Sequence, residues 1–387
     1  MKTLVLCSNP VLGIGVIRCL GVAGHWVCAM GTRKFPFYRM SRYCARYEAF
    51  GKAGLCGPGE EMIARINSMV RRHGVEAIVP ADLAASMVAG EMGERLGAPL
   101  YPLTEPAGLR RLHDKWLFSK FLGENNLPHP RTALVERAED VAALEIAGPW
   151  IVKPRDGDGG VGVGRADARE EIEKRIAAEG RALLVQEFIP GADIDLSFLA
   201  DRGELVAWTI QTGGPPSVRR VFQAHPRVLE IGRALAAASG YHGVAHVDMR
   251  IDERDGTVRV LEINPRFWNT LCHSLCIGVN FADLGIRMMR GELPVAAFDE
   301  RVGICDGVDL TPWRIMGAVF SAHAPASLGK YAEGMWRLTG SDPLPDLCRW
   351  GRRVLPFGGA KAAAPRAGFW GRRLWRYNRP ANESLAA

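Results

Sequence analysis

The sequence predicts a small open α/β domain followed by a larger α+β region, on three observations. Apolar strands alternate with helical runs through residues 1–103, the signature of parallel βαβ units. A strand ending in Lys153 runs into a Gly-rich segment, Asp156–Gly164. From Ile194 onward, strand pairs joined by short turns replace the strand–helix alternation, which implies antiparallel hairpins.

The elements follow in order. Residues 3–8 form a buried strand, Asn9–Gly15 a Gly-containing turn and residues 16–23 a helix; Trp26–Met30 is the second strand. Periodicity predicts a helix over 60–73, a short strand over 75–80 and a helix over 84–96. The Pro-rich stretch Pro99–Pro106 is the exit from this domain. Thr104 is a candidate N-cap for a helix from Ala107, and the helical pattern resumes over 114–124 until Asn125–Pro130 ends it. A strand at Thr132–Val135, a helix near 138–146 and the strand Trp150–Lys153 come next. The Gly-rich segment, a polar helix at 167–179 and the strand Leu183–Ile189 complete this part. Strands at Ile194–Ala200 and Leu205–Gln211 flank a turn at Asp201–Gly203. After a helix at 226–239, strands Val244–Ile251 and Thr257–Ile263 flank a second turn, and a last helical run covers 281–290. The implied organisation is 1–103, 104–185, 186–295 and a C-terminal extension, 296–387.

Composition narrows the class. With 387 residues, 48% of them hydrophobic, the chain can bury large cores. No run approaches the roughly 18 uncharged apolar residues of a membrane span. The Leu4–Cys7 run is broken by Ser8-Asn9-Pro10, which suits a first strand and its loop better than an export signal. Nine cysteines, an odd number and mostly within apolar segments, suit reduced thiols in a cytoplasm. Cys272-His273-x-x-Cys276 lacks a second ligand pair at zinc spacing and reads as helix core. Of the net charge of +7, nine basic residues and no acidic one fall within 349–379; the remainder holds 40 basic against 42 acidic residues. The basicity therefore belongs to a tail, where Trp350, Phe357, Phe369, Trp370, Trp375 and Tyr377 interleave with the arginines. Such a tail fits packing over the body, an anionic membrane surface or, less well, nucleic acid.

The candidate chemistry starts at the hairpin 244–263. His246, Asp248 and Arg250 share one face of a strand, and Glu262 and Asn264 share one face of the next. In even register the two carboxylates and the amide converge as hard oxygen ligands for Mg²⁺; a solvated outer face would show the same alternation. The Gly-rich loop can bring backbone N–H groups close to phosphate oxygens, or it is a flexible hairpin tip. It is not a Walker A loop, because no Gly-Lys-Ser/Thr follows. Lys153 beside the loop and Lys115 upstream could each neutralise phosphate, or simply reach solvent. No Ser/His/Asp or Cys/His arrangement occurs at recognisable spacing.

The order of these pieces is specific as a set: Lys115, Lys153-Pro154, the glycine loop, Gln186-Glu187-Phe188-Ile189-Pro190-Gly191-Ala192-Asp193, Asp248 and Glu262-Ile263-Asn264-Pro265-Arg266. It resembles the ATP-grasp superfamily, which includes D-alanine–D-alanine ligase, biotin carboxylase and the carbamoyl-phosphate synthase large chain. The resemblance covers residues 1–290 and implies the ATP-grasp fold with an N-terminal Rossmann-like pre-ATP-grasp domain over 1–103, a lid subdomain within 104–185 and a large subdomain over 186–295.

The resemblance also implies roles. Lys115 and Lys153 match the lysines that contact ATP phosphates. Asp156, Gly159, Gly160, Val161 and Gly162 lie in the loop that closes over them. Gln186, Glu187, Phe188 and Ile189 match the hinge at adenine. Asp193 matches a ribose-binding acid, although the family more often has Glu there. Asp248, Glu262 and Asn264 match the Mg²⁺ ligands, with Mn²⁺ able to substitute. Arg266, with Lys153, matches the catalytic cations that steady the transferred phosphoryl group or acyl phosphate.

The implied reaction activates a carboxylate as an acyl phosphate and passes it to an amine, with positioning and electrostatics supplying most of the catalysis. Arg155, His246, Trp268, His273, Arg219 and Arg220 are candidate substrate contacts, each with an equally ordinary structural role. A carboxy- or carbamoyl-phosphate-forming enzyme and a non-catalytic ATP-binding module are the alternatives. A dehydrogenase reading from Gly13-Ile14-Gly15 fails because Arg18 stands where the third glycine belongs. A homodimer, and a cytoplasmic protein with its tail at the inner face of the membrane, complete the expectations.

Overall fold

The computed structural model describes residues 1–31, 36–50, 59–157, 159–213, 219–292, 303–307, 311–329 and 331–354. The described chain divides into two compact units: one built from residues within 1–109, 195–246 and 264–354, the other from residues within 110–194 and 247–263. The predicted basic tail beyond residue 354, and residues 214–218, lie outside the described residues.

The first unit opens on β1 (Lys2–Cys7), α1 (Pro10–Val22), β2 (Trp26–Gly31), β3 (Cys44–Ala49), α2 (Glu60–His73), β4 (Ala77–Pro80) and α3 (Leu83–Met92). The strands form a parallel sheet ordered β3-β2-β1-β4. Its central strands are apolar on both faces, as helix-covered parallel strands must be. Val5, Ala29 and Val79 pack into one cluster with α1, and Leu4, Leu6, Met30 and Ile78 into another with α2 and α3. Helix α2 matches its predicted span for readable reasons. Glu60 and Glu61 sit in its first turn, Arg71, Arg72 and His73 in its last, and Gly74 closes it at φ 62°.

Two expectations here need correction. The segment Asn9–Gly15 is mostly helix, because the Asn9 side chain caps Val11 N–H and Pro10 takes the first helical position. Thr104 does not cap α4 (Pro106–His113). Its hydroxyl instead donates to His242 O and accepts from His242 N–H.

The second unit holds α5 (Lys115–Glu124), β5 (Thr132–Val135), β6 (Trp150–Lys153), β7 (Gly164–Ala166), α6 (Arg169–Glu179) and β8 (Leu183–Glu187). Asp114 caps α5 through Trp116 and Leu117 N–H. The strands form an antiparallel sheet ordered β5-β8-β6-β7. The helix expected near 138–146 is a single 3₁₀ segment, Ala138–Ala143, ended by the extended Leu144.

A six-stranded sheet ordered β13-β12-β9-β10-β11-β14 follows. It is built from β9 (Gly191–Asp201), β10 (Glu204–Thr212), β11 (Arg219–Phe222), β12 (Gly243–Asp252), β13 (Val258–Asn264) and β14 (Gly303–Asp306). The unit boundary passes through β9, β12 and β13. Helix α7 (Pro226–Ser239) spans the predicted residues, with Pro226 in its first turn and Gly240 in the left-handed region at its end. Helices α8 (Leu271–Cys276) and α9 (Phe281–Met289) belong to the first unit. So do α10 (Pro312–Phe320), α11 (Glu333–Ser341) and α12 (Leu344–Val354), which the sequence pattern did not resolve. Among the described residues, no helix is long and apolar enough to cross a membrane.

Candidate nucleotide and metal site

In the second unit, four predicted residues come together from four elements. Lys115 is the first residue of α5, Lys153 the last of β6, and Asp248 and Glu262 lie on the paired strands β12 and β13. Both lysines are buried, at 8% and 4% exposure, where an unneutralised ammonium is costly. Lys115 Nζ donates to Gly157 O at 2.7 Å and lies 3.6 Å from a Glu262 carboxylate oxygen. Lys153 Nζ donates to Gln186 Oε1 at 3.0 Å and lies 3.5 Å from Leu261 O. Gln186 is itself buried and donates to Thr132 Oγ1 at 2.9 Å, which fixes its amide.

The two lysines and two carboxylates of this cluster balance in formal charge, yet burial works against both signs. Burial pushes Lys153 down to about 8, and Lys115 adds to the effect against the pull of Glu262 and Asp248. Burial likewise pushes Glu262 up, and the Asp248 carboxyl hydrogen-bonded beside it pushes further, against Lys115 and Lys153. Two carboxyls held this close favour sharing a proton unless a cation lies between them. Hard oxygen donors facing each other beside buried lysines fit a magnesium–phosphate group. The requirement that Asp248 and Glu262 face the same side is met.

The glycine loop starts beside this cluster. Gly157, Gly159, Gly160 and Gly162 all have positive φ, 108°, 67°, 72° and 73°. At Gly159 and Gly160 an added Cβ would meet no atom within 4 Å, so only backbone conformation requires glycine there. Val161 is 58% exposed, an apolar side chain presented to solvent at the loop tip. The Asp156 side chain is exposed and lies 3.6 Å from Arg181; it does not join the lysine–carboxylate cluster.

At the hinge, Phe188 N–H donates to Pro149 O, and the Arg165 guanidinium lies 4.6 Å over the Phe188 ring. Ile189 is buried, and its carbonyl accepts from Arg250 Nε at 2.6 Å. Arg250 also pairs with Asp193. Arg254 pairs with Glu187 at 2.8 Å. Asp193 and Glu187 are thus each held by an arginine of the β12 hairpin. Arg250 was legible only as a member of the alternating face, and Arg254 lies in the turn.

The remaining candidates lie in the first unit or pair locally. Arg266 donates to Asn264 Oδ1 at 2.9 Å and to Phe267 O at 2.9 Å. Arg155 is tied to Asp114 at 2.6 Å, and Arg219 to Asp306 at 2.6 Å. His273 is a helix residue of α8. His246 bonds Ser197 through Nδ1 at 2.8 Å and stacks on Trp268 at 5.6 Å between ring centroids. Asp195, Gln211 and Thr270, bonded together beside them, were missed. The alternation Asp195-x-Ser197 in an otherwise apolar strand was the available signal.

The loop after β1 bears on the dinucleotide alternative. Asp82 fills it: its carboxylate accepts from Ser8 N–H at 2.5 Å, Asn9 N–H at 2.7 Å and Ser8 Oγ at 2.8 Å. The Ser8 and Asn9 N–H groups are therefore already used, which counts against a pyrophosphate there.

Two family models match parts of this chain. Residues 112–212 match the family model described as ATP-grasp domain, and residues 179–308 match that described as ATP-grasp in the biosynthetic pathway with Ter operon. The carbamoyl phosphate synthase arginine-specific large chain of Geobacillus stearothermophilus is 24% identical over 250 residues, 59% of this chain and 23% of that protein. The large chain from Thermomicrobium roseum is 27% identical over 237 residues, 54% of this chain and 21% of that one. The chain thus spans under a quarter of these curated relatives.

Among solved structures, L-amino acid ligase from Bacillus licheniformis superposes with a TM-score of 0.57 at 18% identity, covering 74% of this chain and 73% of that one. The biotin carboxylase domain dimer of Hydrogenobacter thermophilus 2-oxoglutarate carboxylase, solved with MgADP and bicarbonate, gives 0.61 at 19%, covering 78% and 73%. N5-carboxyaminoimidazole ribonucleotide synthetase from Thermotoga maritima gives 0.57 at 18%, covering 78% and 79%.

Proposed function

Because the chain belongs to the ATP-grasp superfamily of carboxylate–amine ligases, we propose that it uses ATP to activate a carboxylate as an acyl phosphate and transfers the acyl group to an amine. The observation that carries this reading is the convergence of two buried lysines with two facing carboxylates. Lys115 and Lys153 neutralise the triphosphate, which lowers the repulsion an attacking carboxylate meets. Asp248, Glu262 and Asn264 hold Mg²⁺, or Mn²⁺ in its place, and the ion supplies charge shielding at the phosphates. Gln186 orients Lys153, while Glu187, Phe188 and Ile189 border adenine and Asp193 the ribose.

The loop carrying Asp156, Gly159, Gly160, Val161 and Gly162 closes over the phosphates and keeps water from the acyl phosphate. Arg266 steadies the transferred phosphoryl group. Residues 1–103 act as the pre-ATP-grasp domain, 104–185 as linker and lid, and 186–295 as the large subdomain. The working form is a cytoplasmic homodimer whose basic tail meets an anionic membrane; pelleting with anionic vesicles, full chain against a chain ending at Val354, tests the tail.

A screen for ADP release over pairs of carboxylates and amines tests the reaction. Substrate-dependent ADP release is expected from the wild type and none from Glu262→Ala. Full activity in that variant would remove the metal assignment. A second reading, formation of carboxy- or carbamoyl phosphate, is favoured by the carbamoyl phosphate synthase relatives; bicarbonate-dependent ADP release without an organic acid would select it.

A further inference from the structure

We infer that the first unit carries the binding site for the amine substrate, and that this substrate is an α-amino acid bound as a zwitterion between Asp195 and Arg220. The inference rests on the ligase reading for which step uses the amine, but not for the existence of the site.

Four adjacent strands, in the order β12-β9-β10-β11, contribute to one polar row. Ser197 is bonded to His246 at 2.8 Å, which places β9 and β12 residues on one face. Asp195 shares that face by alternation and accepts from Gln211 Nε2 of β10 at 3.2 Å. Gln211 pairs in register with Phe222 of β11, so Phe222, and Arg220 two residues before it, also lie on that face. A row of polar groups across the middle of a sheet is expensive unless it is used. Ser197 and Gln211 are essentially inaccessible to solvent, and their hydrogen bonds meet that cost.

Two charges of opposite sign stand in the same row. Asp195 is partly exposed, with 18% of its side chain accessible, so a ligand can reach it. Arg220 is partly buried, which disfavours its charge, and Asp195 counteracts that. Arg220 Nη1 donates to Arg219 O at 3.0 Å, and a simple amine would satisfy Asp195 alone, drawing its charge away from the arginine. A free amino acid offers both: its ammonium to Asp195 and its carboxylate to the arginine, a fork that matches carboxylate geometry. A third feature points the same way. The Trp268 indole N–H is buried and finds no hydrogen-bond partner among the described residues, although its ring stacks on His246 of the row. A buried donor of this kind is suited to an acceptor oxygen brought by a ligand.

Calorimetric titration of the full chain in Mg-ADP with each of the twenty L-amino acids tests the site. At least one is expected to bind, and its methyl ester and its decarboxylated amine are expected to bind at least tenfold more weakly. Arg220→Gln should weaken the amino acid to the level of its ester while leaving ester and Mg-ADP binding unchanged. Arg220→Lys should restore part of the difference, and Asp195→Asn should weaken all three. Failure of every amino acid to bind, equal binding of acid and decarboxylated amine, or an acid-to-ester ratio untouched in Arg220→Gln would each overturn the proposal. Binding with this pattern but without ADP release from any acid would instead defeat the ligase reading and leave the site standing. ADP release driven only by amines lacking a carboxylate would do the reverse.

Discussion

Among the described residues, the buried charge cluster around Arg18 and the one around Lys115 and Lys153 are built to opposite specifications. In the first unit, Arg18 of α1 reaches Asp342 at 2.9 Å and Asp346 at 2.7 Å. Asp342 also accepts from Ser41 Oγ and Arg42 N–H, both at 2.8 Å. Burial works against the Arg18 charge, yet the two carboxylates more than compensate and raise its pKa. In the second unit, Lys115 stands 3.6 Å from Glu262, Glu262 is pushed up against Asp248, and Lys153 is pushed down to about 8. The first cluster is complete without any ligand and locks the C-terminal helices to the N-terminal sheet. The second is left electrostatically strained, which is the state expected of a site that a metal–nucleotide complex completes.

The largest effect that could break this contrast concerns stability. Arg18→Met takes the buried cation away from Asp342 and Asp346, so unfolding free energy should fall by about 3–5 kcal/mol. Chemical denaturation reads it, and a loss under about 1 kcal/mol would contradict the assignment of a structural role. Glu262→Gln should do the opposite. Turnover should drop on the order of 10²-fold to 10³-fold, while stability stays within about 1 kcal/mol of the wild type or rises. An ADP-release assay beside a melting curve separates these outcomes.

A smaller effect lies in pH. Lys153 carries its charge below about 8 and loses it as pH rises through that value. Nucleotide affinity should therefore weaken as pH rises through about 8, and Lys153→Arg, which keeps its charge, should flatten the profile. The smallest effect is expected at the loop tip. Gly160→Ala meets no neighbour but adopts φ 72°, so it should slow turnover several-fold through the loop and shift stability by only about 1 kcal/mol.

What the sequence disclosed follows from where the physics is local. Helices α2 and α7 were legible to the residue because their caps, end charges and flanking glycines are written within each segment. Lys115, Lys153, Asp248 and Glu262 stand out in the sequence only as an ordered set, through the resemblance that set carries, and the structure brings the four together. The rest depends on distant partners. Arg18 was visible only as a residue that spoils a glycine motif; its partners lie 324 and 328 positions away. Strand β3 hides because Arg46 and Glu48 interrupt its apolar pattern. Asp82 filling the loop after β1 is a contact across 74 positions, beyond the reach of any local pattern.

The most direct test of the account is thermal stabilisation by Mg-ATP, measured on the wild type and on Glu262→Gln under the same conditions. At a ligand concentration about 100-fold above the dissociation constant, the wild type should gain about 2.7 kcal/mol, and the variant should gain little or nothing at that concentration. Equal stabilisation of both proteins would contradict the claim that Asp248 and Glu262 hold the metal–nucleotide complex beside the two buried lysines.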